Sequence, residues 1–453
     1  MTSQMTAKEK TRAVLIRGGR IIDPDQGIDE TGSLLITGSK ISWRGKGKAT
    51  PPKSNYDLLD AKGMVVCPGF IDFHCHLRQP GFEDKETIAS GSLAAVRGGF
   101  TTICAMPNTN PPTDNQETLE NIKETAKQEA LIRVLPIGSV TLNRDGKKLA
   151  RLAELAKAGA IGFSDDGSPV TDSEVMRQAL ESSRNLNLPI IDHCEESSLA
   201  KGGQMNEGIV SRKLGLRGMP AAAEWLMVIR NVALAQLTGG WIHIAHVSTA
   251  QAVDSIRNGK ERGVKVTAEV TPHHLTLTEE AVAGYDTNAK VNPPLRTERD
   301  IQSLIKGLND GVIDIIATDH APHTEAEKQA GFDSAPSGIS VLETALGSLL
   351  TLVTNGKISL SNLIANLTTE PAKIIGQDRL GTLTEGSPAE ITIFDPNRKW
   401  KVDTTAFASK GKNSPLAGST LKGKVIATIF GGEFVYKDGL MEIKSNVAKN
   451  KRG

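Results

Sequence analysis

The chain has 453 residues, with 53 Lys and Arg against 52 Asp and Glu, a formal net charge of +1, and 4% aromatic residues. Balanced charge argues against a general attraction to nucleic acid or to an anionic membrane surface, and sparse aromatics argue against stacking platforms for single-stranded nucleic acid. The length suits one large domain plus a smaller one.

The first twelve residues are polar, without the apolar core of a secretion signal, and no apolar run reaches the length of a membrane span. Cys67, Cys75, Cys104 and Cys194 sit in or beside apolar runs with no C-x-x-C pairing, so reduced, packed thiols are expected. A cytoplasmic enzyme without nucleic-acid or membrane partners is the expectation.

Residues 13–66 hold short β-type runs at 13–17, 33–37, 40–43 and 56–59, separated by turn residues. From residue 64 the texture changes, and apolar runs alternate with helix-length segments. Strands are predicted at 65–70, 101–106, 132–137, 161–163, 189–192, 241–245, 264–270 and 312–317. Helices are predicted at 87–97, 117–128, 149–158, 172–185, 221–237, 249–258, 298–308 and 339–353, with a capping-box pattern over 171–174. Eight strand–helix alternations indicate a (β/α)8 TIM-type barrel. Past residue 381 short strands return at 389–394, 399–402, 425–430 and 433–436. The two ends thus form one small composite β-sandwich domain. The predicted divisions are 1–66 and 378–453 for the two parts of the β domain, with the barrel at 67–377. The basic stretch 444–453 reads as a solvated, disordered tail.

The stretch around which the chain is organised is C-P-G-F-I-D-F-H-C-H-L-R-Q-P-G, residues 67–81. Side chains two apart on extended backbone point the same way, so His74 and His76 can reach one point. Imidazole is the commonest protein ligand for zinc. Barrel active sites lie where the strands end, and His193, His246 and Asp319 each follow a predicted strand. Strand four ends in Ser164-Asp165-Asp166-Gly167, where either aspartate could serve. All 9 histidines fall between residues 74 and 323. Four imidazoles and two carboxylates exceed the needs of one zinc and suit two ions sharing a bridge. His243 lies inside a strand and is expected to pack. His273 and His274, in T-P-H-H-L, are expected to stand behind the ligands and support them, or to be structural.

These residues resemble the amidohydrolase superfamily, and more closely its bacterial class I dihydroorotases. The matching segments are P-G-F-I-D-F-H-C-H-L-R-Q-P-G-F-E-D-K-E-T-I, M-P-N-T-N-P, G-F-S-D-D-G, H-V-S-T, E-V-T-P-H-H-L, N-P-P-L-R and A-T-D-H-A-P-H-T, spread in family order over residues 68–324. The resemblance implies that His74, His76 and Asp319 bind one zinc, that His193 and His246 bind a second, and that Asp166 bridges. Many relatives, such as dihydropyrimidinases and allantoinases, carry a carboxylated lysine at the bridge. No lysine stands in G-F-S-D-D-G, and class I dihydroorotases likewise use aspartate there. Asp319 would be the catalytic proton carrier. His76, Arg78, Asn108, Asn292 and His323 would hold the substrate, carbamoyl aspartate or dihydroorotate. Ser337 and Gly338 would meet its ring through backbone groups. The implied reaction is the zinc-dependent cyclisation of N-carbamoyl-L-aspartate in pyrimidine biosynthesis. The alternatives are a cyclic amidase acting on hydantoin, dihydropyrimidine or allantoin, and a non-catalytic partner of aspartate transcarbamoylase. Association with further copies of the chain, or with the transcarbamoylase, is compatible with activity.

Overall fold

The computed structural model describes residues 13–46, 56–439 and 444–446. Eight parallel barrel strands follow one another: β1 Phe70–Cys75, β2 Phe100–Ala105, β3 Arg133–Pro136, β4 Phe163–Ser164, β5 Ile190–Asp192, β6 Ile242–Ile244, β7 Val266–Val270 and β8 Ile315–Ile316. The ladders run β1-β2-β3 and β4-β5-β6-β7-β8. Two parallel bridges close the ring, Gly138 with Phe163 and Cys75 with His320. His76 N donates to His320 O at 2.9 Å across the second seam. Inside lie Ile71, Phe73, Cys104, Met106, Ile137, Ile191, Ala245, Ile315 and Ala317, an apolar plug rather than a pore.

The barrel's first strand starts later than expected. The run at 65–70 is two elements. Val65–Pro68 belongs to the sheet of the chain ends, with Val66 opposite Ile393 and parallel to Ile21. Gly69 turns the chain into the barrel, and only glycine fits there. A Cβ would lie 2.1 Å from Thr101 Oγ1 and 2.7 Å from Thr101 Cβ.

The β domain is built from both ends of the chain. Its sheet runs from Glu433–Lys437 through Thr420–Phe430, Ile391–Lys401, Val65–Pro68, Ala13–Asp23 and Ile28–Thr37 to Lys40–Gly45. Ala13–Asp23 also pairs with Tyr56–Asp60, so the sheet forks at the register shift between Arg17 and Gly19. Val14, Ile16, Leu34, Ile36, Ile41, Ile391, Ile393, Ala427 and Ile429 form its core. Residues 444–446 pair with Tyr56–Asp60 as a short strand, contrary to the expectation of a disordered tail from 444 onward. The rest of that tail lies outside the described residues.

Several barrel helices start on side-chain caps that supply partners for unpaired N–H groups. Thr87 accepts from Ser90 N at 3.1 Å, and Asn115 from Thr118 N at 3.0 Å. At Ser173–Leu186 the cap is Asp172 rather than Thr171, its Oδ1 accepting from Glu174 N at 2.8 Å. The helix expected from 339 begins only at Ala345. Ile339 bridges to His320, and Val341 N donates to His320 Nδ1 at 3.0 Å, so the preceding backbone serves the barrel mouth instead. All four cysteines are free and buried. Among the described residues no helix is long and apolar enough to cross a membrane.

Candidate metal centre at the barrel mouth

β1 does not alternate to its end. A register irregularity between Asp72 and Cys75 follows the inward Ile71 and Phe73. His74 and His76 then both reach the mouth, with ring centroids 5.3 Å apart. His74 Nδ1–H donates to Glu269 Oε1 at 2.6 Å, which leaves Nε2 as the lone-pair nitrogen. That nitrogen is 3.5 Å from Asp319 Oδ1 and 3.6 Å from Asp166 Oδ1. His76 Nε2 lies 2.9 Å from Asp319 Oδ1 and 3.5 Å from Asp166 Oδ2. From the far side come His246 Nε2, 3.2 Å from Asp166 Oδ1, and His193 Nδ1, 3.6 Å from the same oxygen. His193 Nδ1 and His246 Nε2 are 2.9 Å apart. Four imidazoles therefore surround Asp166, and Asp319 closes the near side.

The two aspartates that local sequence left open separate completely. Asp165 turns away and accepts from Val140 N at 2.9 Å, from Thr141 N at 3.1 Å and from the Thr141 hydroxyl. Burial outweighs those bonds and pushes its carboxyl up to about 6. Asp166 has the opposite balance. Burial pulls its carboxyl upward, but His74, His193 and His246 prevail and hold it well below the ordinary range. Asp319 is likewise lowered, burial being overcome by His74 and His76. Burial lowers His193, yet Asp166 and Glu195 raise it to about 10. The acidic groups thus favour positive charge at this point.

The donor set fits a divalent cation. His74, His76 and Asp319 can share one ion, and so can His74, Asp166 and His246. His74 Nε2 is buried without a hydrogen-bond partner, a costly arrangement unless an ion takes the lone pair.

Three residues of the site hold positive φ: Arg78 at 62°, His246 at 32° and Asp319 at 44°. Non-glycine residues there carry strain of order 1–3 kcal/mol each, sustained by their surroundings. For Asp319 the surroundings are explicit. Thr318 N and Oγ1 donate to Asp72 at 2.7 and 2.6 Å. His320, on the other side, is clamped by Val341 N at 3.0 Å and faces Glu86 Oε2 at 3.3 Å.

Several supporting groups escaped the sequence reading. Glu269, which orients His74, also faces His243 Nε2 at 3.2 Å, and His243 Nδ1 meets Thr267 Oγ1 at 2.9 Å. His243 is therefore part of a relay to His74, where simple packing was expected. Its signal was an imidazole and a carboxylate on neighbouring strands. Glu195 was also missed, although it stands two residues after His193. His274 is held by Thr271 Oγ1 at 2.8 Å and Pro293 O at 3.0 Å.

The expected substrate residues are mixed. Arg78 is half-buried and donates from Nε to Pro322 O at 3.3 Å, and among the described residues no carboxylate forms an ion pair with it. Asn108 Oδ1 accepts from His76 Nδ1–H at 2.9 Å, so its oxygen orients a ring. Asn292 Nδ2 donates to Glu195 Oε2 at 2.7 Å. His323 Nε2–H donates to Ser337 O at 3.0 Å. Burial and the charge of Arg78 push its imidazole down to about 3. Both backbone groups of Gly338 are paired within the chain. Its N–H donates to Lys290 O at 2.9 Å, and its oxygen accepts from Asn413 Nδ2 at 2.9 Å and Lys328 Nζ at 3.1 Å. Ser337 is exposed beside it.

The family model described as dihydro-orotase-like matches residues 63–252. A protein named dihydroorotase from Syntrophus aciditrophicus is 49% identical over 425 residues, 94% of this chain and 99% of that protein. Another of that name from Geobacter sp. (strain M21) is 48% identical over 94% of this chain and 100% of its own length. Among solved structures, the L-hydantoinase (dihydropyrimidinase) from Arthrobacter aurescens superposes with a TM-score of 0.85 at 26% identity, covering 96% of this chain and 98% of that one. The dihydropyrimidinase from Brevibacillus agri NCHU1002 shares the fold, with a TM-score of 0.81 at 24% identity, covering 96% and 97%.

Proposed function

The chain belongs to the dihydroorotase family, and from that premise we propose that it interconverts (S)-dihydroorotate and N-carbamoyl-L-aspartate, with ring closure as the biosynthetic direction. The observation that carries the substrate choice is the half-buried Arg78 guanidinium beside the acidic cluster, with no carboxylate of the described residues paired to it. A guanidinium is a planar two-pronged donor for a carboxylate. Dihydroorotate brings that carboxylate; hydantoin, dihydropyrimidine and allantoin do not.

His74, His76 and Asp319 would hold one divalent cation, and His193 and His246 a second, with Asp166 between them. Zinc suits this imidazole-rich set. Cations bound there would supply a deprotonated water near neutral pH and draw electron density from the scissile carbonyl. Asp319, next to His76 and His74, accepts the proton of the attacking water and delivers it to the leaving ring nitrogen. In the closing direction it takes the proton from the carbamoyl nitrogen and returns it to the departing hydroxyl. The carbonyl of Asn108 keeps His76 in one tautomer, and Glu269 does the same for His74.

The deciding experiment compares turnover of dihydroorotate and hydantoin by the purified chain. Faster turnover of hydantoin would overturn the reading. Chelation should abolish activity and added zinc restore it, with metal analysis giving two ions per chain at full activity. Activity that survives complete metal removal would count against the site. Arg78→Met should raise KM for dihydroorotate by roughly 10- to 100-fold, the worth of a charge-assisted pair, with a much smaller change in kcat. An unchanged KM would remove Arg78 from the substrate site. Assembly with further copies or with aspartate transcarbamoylase is a separate proposal, checked by solution mass with and without added transcarbamoylase.

A further inference from the structure

Resting on the dihydroorotase reading, we propose that Glu195 is a positioning residue for substrate recognition. It turns the side-chain amide of Asn292 so that Asn292 Oδ1 accepts from an N–H of the substrate's ureide.

The amide orientation follows from chemistry. An ionised carboxylate has only acceptors, whereas a carboxamide has a donor end and an acceptor end. Asn292 Nδ2 stands 2.7 Å from Glu195 Oε2. The reverse orientation would set a carbonyl oxygen against a carboxylate oxygen at that distance, which is repulsive. Glu195 therefore commits the amide to one orientation. The other end, Asn292 Oδ1, is buried and has no hydrogen-bond partner. Buried acceptors are almost always paired, so an unpaired one in this position is waiting for a donor. Asn292 Nδ2 also lies 3.3 Å from His193 Nε2, which puts the amide directly beside the proposed metal ligands. Both dihydroorotate and carbamoyl aspartate carry ureide N–H groups of the matching polarity.

A rival role exists on the same oxygen. Glu195 Oε2 is 3.5 Å from His193 Nε2, so Glu195 could act only by orienting His193 toward the cation. A double-mutant cycle separates the two. Glu195→Gln is isosteric but can offer Asn292 either a donor or an acceptor, so the orientation is no longer dictated. The expected result is a KM for dihydroorotate raised about tenfold, the worth of one well-placed hydrogen bond. The kcat should stay within about twofold of wild type, with unchanged metal content. Asn292→Ala should raise KM by a similar factor. The double variant should be no worse than Asn292→Ala alone, because Glu195 works through the group already removed. An unchanged KM in Glu195→Gln, a multiplicative loss in the double variant, or loss of bound metal in Glu195→Gln would each overturn the proposal. A wild-type chain with no turnover of dihydroorotate would instead bring down the functional reading and this inference with it.

Discussion

Asp319→Ala is expected to lower kcat for dihydroorotate by about a thousandfold or more, because positioned proton transfer contributes on the order of 10²–10⁴ and the same carboxylate completes the His74–His76 donor set. Asp319 combines proximity to His76, at 2.9 Å, with a backbone φ of 44°. That conformation is braced from both sides, by Asp72 through Thr318 and by His320. Such bracing is what a group needs if it must return a proton to the same point at each turnover. Asp319→Asn separates chemistry from shape. It keeps the volume but cannot carry a proton, so it should lose nearly as much activity while retaining Tm. Rates within tenfold of wild type in both variants would mean that another group moves the proton.

The second large effect distinguishes adjacent aspartates. Asp166→Asn should lose bound metal and lower kcat/KM by about a thousandfold or more. Among the described residues its carboxylate is the only one within 3.6 Å of ring nitrogens from all of His74, His76, His193 and His246. An amide offers one weak acceptor in place of two charged oxygens. Asp165→Asn should leave metal content intact and cost stability instead, about 1–3 kcal/mol for disturbed buried hydrogen bonds. Its oxygens serve the 140–141 backbone and the Thr141 hydroxyl. Metal analysis and a thermal melt on both variants read the contrast. Loss of metal from the Asp165 variant with retention in the Asp166 variant would reverse the assignment.

Much of the barrel was legible because its signal is local. Short apolar runs between amphipathic segments report strands and helices, and the predicted segments overlap all eight barrel strands. Boundaries failed where another part of the chain claimed the backbone. Val65–Pro68 reads as the start of a barrel strand, yet it pairs with Ala13–Asp23 on one side and with Ile391–Lys401, more than three hundred residues away, on the other. The helix expected from 339 is delayed to Ala345 because His320 takes the N–H of Val341. The backbone of Gly338 pairs with Lys290, Lys328 and Asn413, partners that no local pattern shows.

By itself, the order of residues determined which chemical groups exist and which of them stand at strand ends: the paired imidazoles of His74 and His76, then His193, His246 and Asp319. It also determined that both ends of the chain are β-rich around an alternating middle. Tertiary structure alone decided which of two neighbouring aspartates faces inward, that Glu269 and His243 set the tautomer of His74, and that Glu195 holds Asn292. The physical reason is range. A side chain's periodicity and chemistry are properties of its own neighbourhood, whereas its direction and free valence depend on partners brought close by ring closure, and no local pattern encodes those partners.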